Sequence, residues 1–255
     1  MPRAAQTRLP AEKVPRVRRG YFECRFGQLH IHNAMPSGGG FEEGTPLLCV
    51  HDLELGGSGR VFTRFLSIAG QDRSVYAPDL PGFGESDPPP SRPALADYAA
   101  ALGDFLDSLR LRHVSLLGLR MGALLATELA LARPKQIGSV ILLSLPLLSE
   151  AERRALEPAP PAAPAASGAD GVSRPPQWQR WALEAALHYP LRERLPRLTQ
   201  RLLVLRPRDE HAEASARVRD VLPSARMSEL DQPTLELFSA APQRLFEAMG
   251  EFLRG

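Results

Sequence analysis

The sequence predicts an α/β domain: a mostly parallel central sheet with helices on both faces and one short inserted segment. Three observations predict it. Short apolar runs alternate with stretches of helical periodicity along most of the 255 residues, the pattern of parallel strands joined by helical crossovers. The stretch "HVSLLGLRMGALLATELALARP", His113 to Pro134, reads as a buried strand, a sharp turn at Gly118-Leu119-Arg120-Met121-Gly122 and an amphipathic helix. Residues 151–198 then break the rhythm with "EPAPPAAPAASGADGVSRPP". Such a low-complexity run cannot build a packed core, so it reads as an insertion and not as a second domain.

The elements follow in order. Residues 1–19 are basic and proline-broken and read as a loosely docked arm. "YFECRFGQLHIHNA" alternates around Phe26-Gly27 and predicts an antiparallel hairpin. "SGGGFEEGTP" is a polar loop, "LLCV" at 47–50 a strand covered on both faces, and Arg60 to Gly70 a short helix. "SVYAPDL" is the next strand and runs into the turn "PGFGESDPPP". Leu95, Tyr98, Leu102, Phe105, Leu106 and Leu109 fall at helical spacing within Ala94 to Leu111. After the strand-turn-helix come a buried strand in "SVILLSLPLL" and another in "RLLVLRP" at 201–207. Short helices are expected at Ala151 to Leu156, Trp178 to Leu195 and Glu213 to Val221. "ARMSEL" at 225–230 is a final strand and Pro242 to Leu253 a final helix. The domain reading is therefore an arm at 1–19, a core in two parts at 20–150 and 199–255, and the insertion at 151–198.

Bulk composition excludes several functions. A net charge of +2 gives no case for nucleic acid or an anionic membrane as partner. Lys13 and Lys135 are the only lysines. The arginine, alanine and proline richness points to codon bias in a GC-rich, bacterial genome and not to a binding device. Cys24 and Cys49 fall in apparent strands and read as buried free thiols. The start carries no apolar run of a secretory signal, and the longest apolar run, Val140 to Leu148, is about half a membrane span. The expectation is a cytoplasmic protein.

Four motifs, in order, carry a resemblance to the α/β-hydrolase fold family. "RRGYFECRFGQLHIHN" is similar to its first hairpin, and "LLCVHDLELGGSGRVFTRFL" to the strand and loop of its oxyanion segment. "YAPDLPGFGESDPP" is close to its Asp-Leu-Pro-Gly-Phe-Gly-x-Ser turn, and "LLGLRMGALLATELALARPKQIGSVILLS" follows its nucleophile elbow almost throughout. The resemblance implies that the insertion at 151–198 is a short cap. It also implies where a catalytic triad would stand: a nucleophile at residue 120, an acid just after "RLLVLRP" at Asp209, and a histidine seven residues before Pro242, at Leu235.

The chain departs from that pattern where chemistry would happen. Arg120 stands at the nucleophile position, and a guanidinium offers only donors. The oxyanion loop reads His51-Asp52 where the family has His-Gly, and a carboxylate there opposes a developing oxyanion. Leu235 replaces the base, and no histidine follows His211. Losing one triad member costs on the order of 10⁶ in turnover in a serine hydrolase. No catalytic residue is therefore assigned. His51, Asp52, Arg120, Met121, Asp209 and Leu235 form a degenerate site. Arg120 calls for a partner, because a buried unpaired guanidinium is costly. Asp52 is the first candidate, through a bidentate contact, and Asp209 the second; an acidic ligand clamped by Arg120 is the alternative. The protein reads as a pseudo-hydrolase that binds a small molecule or a protein partner. The other reading is a hydrolase of a small ester or thioester with a relocated site built on Asp209, His211 and a hydroxyl such as Ser58 or Ser144. The remaining histidines read as structural: His30 and His32 on an edge strand, His113 opening a strand, His188 in the cap. None stands at metal-ligand spacing from a Cys, Asp or Glu, so no metal and no cofactor is expected.

Overall fold

The structure is a computed structural model and describes residues 15–37, 44–54, 56–157 and 176–254. Residues 1–14 of the expected arm and 158–175 of the proline/alanine segment lie outside the described residues.

In chain order the strands are β1 (Arg18–Cys24), β2 (Gly27–Ala34), β3 (Gly44–Val50), β4 (Arg73–Pro78), β5 (Val114–Leu119), β6 (Ile137–Leu143), β7 (Arg201–Arg206) and β8 (Arg226–Glu229). Among the described residues they form one sheet in the order β1-β2-β4-β3-β5-β6-β7-β8. β1 pairs antiparallel with β2 and β2 with β4; every other pairing is parallel. β2 is thus flanked on both sides, and the edge position expected for His30 and His32 belongs to β1, because the hairpin folds β1 outward.

The helices are α1 (Thr63–Ala69), α2 (Leu95–Ser108), α3 (Met121–Ala132), α4 (Glu150–Leu156), α5 (Gln177–Leu187), α6 (Leu191–Arg194), α7 (Ala212–Ala216), α8 (Val218–Val221), α9 (Thr234–Ser239) and α10 (Pro242–Arg254). Strand alternation divides the core between the two faces. Val114 and Leu116 of β5, with Val140 and Leu142 of β6, join a cluster under α2 and α3. Leu117, Leu119, Ile141 and Leu143 from the same strands join the opposite cluster, with Phe65 of α1, Phe238 of α9 and Phe252 of α10. The apolar runs read from the sequence are continuous because both faces are covered.

Three local expectations are corrected. α3 is not amphipathic: every residue from Met121 to Ala130 is buried, since α2, α5 and α6 cover its outer side. The helix expected at Trp178 to Leu195 breaks at Tyr189-Pro190, where proline lacks the donor and crowds the preceding turn. The helix expected at Glu213 to Val221 splits at Arg217 into α7 and α8. α9 has no counterpart in the sequence reading; "TLELFS" is too short for its periodicity to stand out.

Candidate functional site

The candidate site lies at the carboxyl ends of the parallel strands, where the loops after β3, β5 and β7 converge. The turn from β5 into α3 is a strained elbow. Arg120 holds φ 49° and ψ −119°, a left-handed conformation that side chains rarely adopt. The flanking glycines are required by space. A Cβ on Gly122 would stand 2.2 Å from the His51 carbonyl oxygen, and one on Gly118 2.5 Å from Ala123 Cα. The Arg120 N–H donates to the Leu143 carbonyl (2.9 Å), tying the elbow to β6.

The N–H of the residue after the elbow tip and an N–H from the β3 loop form the oxyanion hole of this architecture. Here those donors are on Met121 and Leu53, and both are engaged by the same oxygen. Asp52 Oδ1 accepts from the Leu53 N–H at 2.8 Å and the Met121 N–H at 3.2 Å. One carboxylate oxygen of the chain itself thus bridges the β3 loop and the start of α3. Asp52 is buried, 8% exposed. Burial and the neighbouring Glu54 push its carboxyl up to about 6, against the downward pull of Arg120 and the two N–H donors.

Arg120 leans over this carboxylate without the bidentate contact expected from the sequence. Its Nη1 lies 3.8 Å from Asp52 Oδ2 and 3.8 Å from Glu54 Oε2, beyond hydrogen-bond reach. Its close partner is Glu210, at 2.7 Å from Nη2. Its Nε is buried with no hydrogen-bond partner among the described residues. Asp52 Oδ1 is held by the two N–H groups, and Oδ2 is the oxygen that faces the guanidinium.

Asp209 does not pair with Arg120. Its Oδ2 accepts hydroxyls from Ser144 (2.6 Å) and Thr234, and its Oδ1 accepts the His211 N–H at 3.0 Å. The side chain that meets the acid is thus Thr234, buried at the start of α9, while its neighbour Leu235 is 64% exposed on the rim. His211 reaches Asp209 through its backbone, and burial lowers its ring pKa. His51 is fixed in one tautomer. Its Nδ1 meets the Asp52 carbonyl at 2.6 Å, a pure acceptor, and its Nε2 accepts the Leu80 N–H at 2.9 Å. Burial holds it neutral, with a pKa down to about 4. Both ring nitrogens of His51 are thus engaged, and neither meets a hydroxyl held by Asp209.

Between these loops lies a hollow of about 350 Å³, lined by Asp52, Glu54, Arg60 and Arg120 on its polar side and Val61 and Leu235 on its apolar side. A second, smaller space of about 180 Å³ lies behind Met121, under Leu187 and Tyr189.

A family model described as the alpha/beta hydrolase fold matches residues 45–167. The enol-lactonase of Burkholderia xenovorans LB400 superposes with a TM-score of 0.72 at 15% identity, over 92% of this chain and 100% of that one. A thermophilic esterase from Thermogutta terrifontis gives a TM-score of 0.71 at 18% identity, over 93% and 98%. The protein has the α/β-hydrolase fold. In sequence it is also similar to a 2-hydroxy-6-oxononadienedioate/2-hydroxy-6-oxononatrienedioate hydrolase of Pseudomonas putida, 33% identical over 136 residues. That match covers 52% of this chain and 44% of the relative, so it spans less than half the relative's length.

For an α/β-hydrolase fold, three participants in the site escaped the sequence reading. Glu54 and Glu210 sit one or two residues from positions that were named, and nothing in a loop sequence tells which of two adjacent acids turns inward. Thr234 lies one residue before the position counted back from Pro242; the count assumes a spacing that α9 alters here. His30 and His32, read as lacking a carboxylate partner, also prove otherwise. His30 Nδ1 donates to Asp79 Oδ2 at 2.8 Å, and His32 Nε2 lies 4.0 Å from Asp79 Oδ1. Residues nearly fifty positions apart meet because β2 and β4 pair, with Ile31 opposite Pro78.

Proposed function

We propose that this α/β-hydrolase-fold protein binds a small molecule in the hollow beside Arg120 and does not hydrolyse it. The single observation that carries the reading is Asp52 Oδ1 on the N–H groups of Leu53 and Met121. Acyl transfer needs those two donors free for the oxyanion, a nucleophile at the elbow tip and a base beside it. The first are occupied by an internal carboxylate, the second is Arg120, and Asp209 meets Thr234 in place of an imidazole. The hollow retains a polar wall and an apolar wall, the usual make-up of a small-molecule site.

The hydrolase names of the similar proteins favour a second reading, a hydrolase of a small ester or thioester with a relocated site. Its attacking hydroxyl would be Ser144, whose Oγ donates to Asp209 at 2.6 Å. A panel of activated esters and thioesters, with a serine-directed phosphonate probe, separates the two. The binding reading expects turnover at the uncatalysed rate, no phosphonate adduct, and a rise in Tm with a subset of the panel's parent acids and alcohols that Val61→Trp abolishes. Turnover lost in both Ser144→Ala and Asp209→Asn overturns it in favour of the hydrolase.

A further inference from the structure

We propose that His30, His32 and Asp79 form a site for one divalent transition-metal ion of the zinc class, which pins the β1–β2 hairpin to the turn that follows β4. The proposal is independent of what the hollow beside Arg120 binds. His30 and His32 stand at alternate positions of β2 and so project from the same face of the sheet. Asp79 follows the last residue of β4, the strand paired with β2. All three residues are buried, and their ligating atoms lie within 4.8 Å of one another. A tetrahedral ion with bonds of about 2.0–2.2 Å spaces its ligands by about 3.3 Å, so the widest pair must approach by up to about 1.5 Å, shared between two side chains. Two neutral imidazoles and one carboxylate also leave a single negative charge to offset the ion, and this is the N/O donor set that zinc favours.

The chain supplies the supports such a site needs. Asp79 is held by Ser58 Oγ (2.6 Å), the Gly59 N–H (2.7 Å) and the Glu85 N–H (3.0 Å), none of which an ion would displace. The only hydrogen bond that must give way is that of His30 Nδ1 to Asp79. A neutral imidazole can change tautomer, giving its Nδ1 lone pair to the ion and placing its proton on Nε2. Glu85 Oε2 lies 3.9 Å from that Nε2, and an approach of about one ångström would bring it to hydrogen-bond distance. Glu85 is in turn held by the Tyr21 hydroxyl at 2.8 Å. A carboxylate behind a ligating histidine is the recurrent arrangement that fixes tautomer and ring orientation at zinc sites. His32 makes no such closed contact: its Nε2 stops 4.0 Å from Asp79 Oδ1, beyond hydrogen-bond reach, so an ion would break no bond there.

The full chain, freed of any histidine tag and stripped with a chelator, is titrated with Zn²⁺ and with Co²⁺ as a coloured probe. One equivalent per chain, visible d–d absorption with Co²⁺ and a rise in Tm with Zn²⁺ are expected. His32→Gln, which leaves the Asp79 hydrogen bonds intact, is expected to weaken binding by on the order of 100-fold or more, and Glu85→Gln by about tenfold. Should His32→Gln fail to fold, the exposed Glu85 still carries the comparison. Zinc bound by the wild type no more tightly than by His32→Gln, or no binding at all, overturns the proposal and leaves the trio a hydrogen-bonded clasp.

Discussion

Asp52 and Asp79 follow the ends of the paired strands β3 and β4, and both are buried, yet their carboxyls are driven in opposite directions. Asp79 is 1% exposed and meets four donors: Ser58 Oγ, the N–H groups of Gly59 and Glu85, and His30 Nδ1. Burial pushes it up, and those hydrogen bonds outweigh burial and hold it below the ordinary aspartate value. Asp52 has two N–H donors and a guanidinium no closer than 3.8 Å, and burial together with the neighbouring Glu54 raises it to about 6. Donors in contact offset desolvation; a cation one ångström too far does not. One loop clamps a carboxylate as structure. The other holds one with less support than its burial calls for.

The largest effect expected from breaking this contrast is at Asp79. Asp79→Asn leaves donors facing an amide N–H and should cost about 2–5 kcal/mol in a denaturant titration, with no gain at any pH. Asp52→Asn should act in the opposite sense. The native state binds the Asp52 proton more tightly than the unfolded chain does, so wild-type stability from this group falls as pH rises from about 4 to about 6. The variant is therefore expected to be more stable at pH 7 by about 1–3 kcal/mol, and the gain should vanish near pH 4. His51 works against this in the wild type: its lowered pKa removes stability as pH falls from about 6.5 to about 4. The variant should accordingly lose stability on acidification more steeply than the wild type over that range.

Smaller effects sharpen the comparison. Arg120→Met should cost about 1 kcal/mol in the presence of Asp52, whose charge it leaves unopposed, and close to nothing in the Asp52→Asn background, where it removes a buried unpaired Nε and the solvent-screened contact with Glu210. A coupling energy near zero in that double-mutant cycle would mean that the two side chains are independent. Glu210→Gln is the mildest. Glu210 is 60% exposed, so the close contact with Arg120 is screened, and thermal unfolding should stay within about 0.5 kcal/mol of the wild type.

Much of the fold was legible because its signals are local and repeated. The hairpin around Gly27, the strands of the sheet and the elbow glycines all follow from periodicity and from backbone space, which neighbouring residues set. The site was legible in part. Arg120, Asp52 and Asp209 could be named from their positions in the motifs, and Arg120 could be seen to need a partner. Which partner it takes was not legible, because adjacent acids in a loop differ only in the direction the chain gives them. Glu210 reaches Arg120, and Asp209 turns to Ser144 and Thr234.

By itself the sequence determined a parallel sheet with a strained turn carrying a cation at its tip and no imidazole in the loop before α10. The tertiary structure alone decided that Asp52 closes on the N–H groups of Leu53 and Met121, and that His30 and His32 meet Asp79. The reason is range. Helical and strand periods are written within ten or so residues, whereas these contacts join segments dozens of residues apart. Their final ångström is set by strand register and side-chain reach.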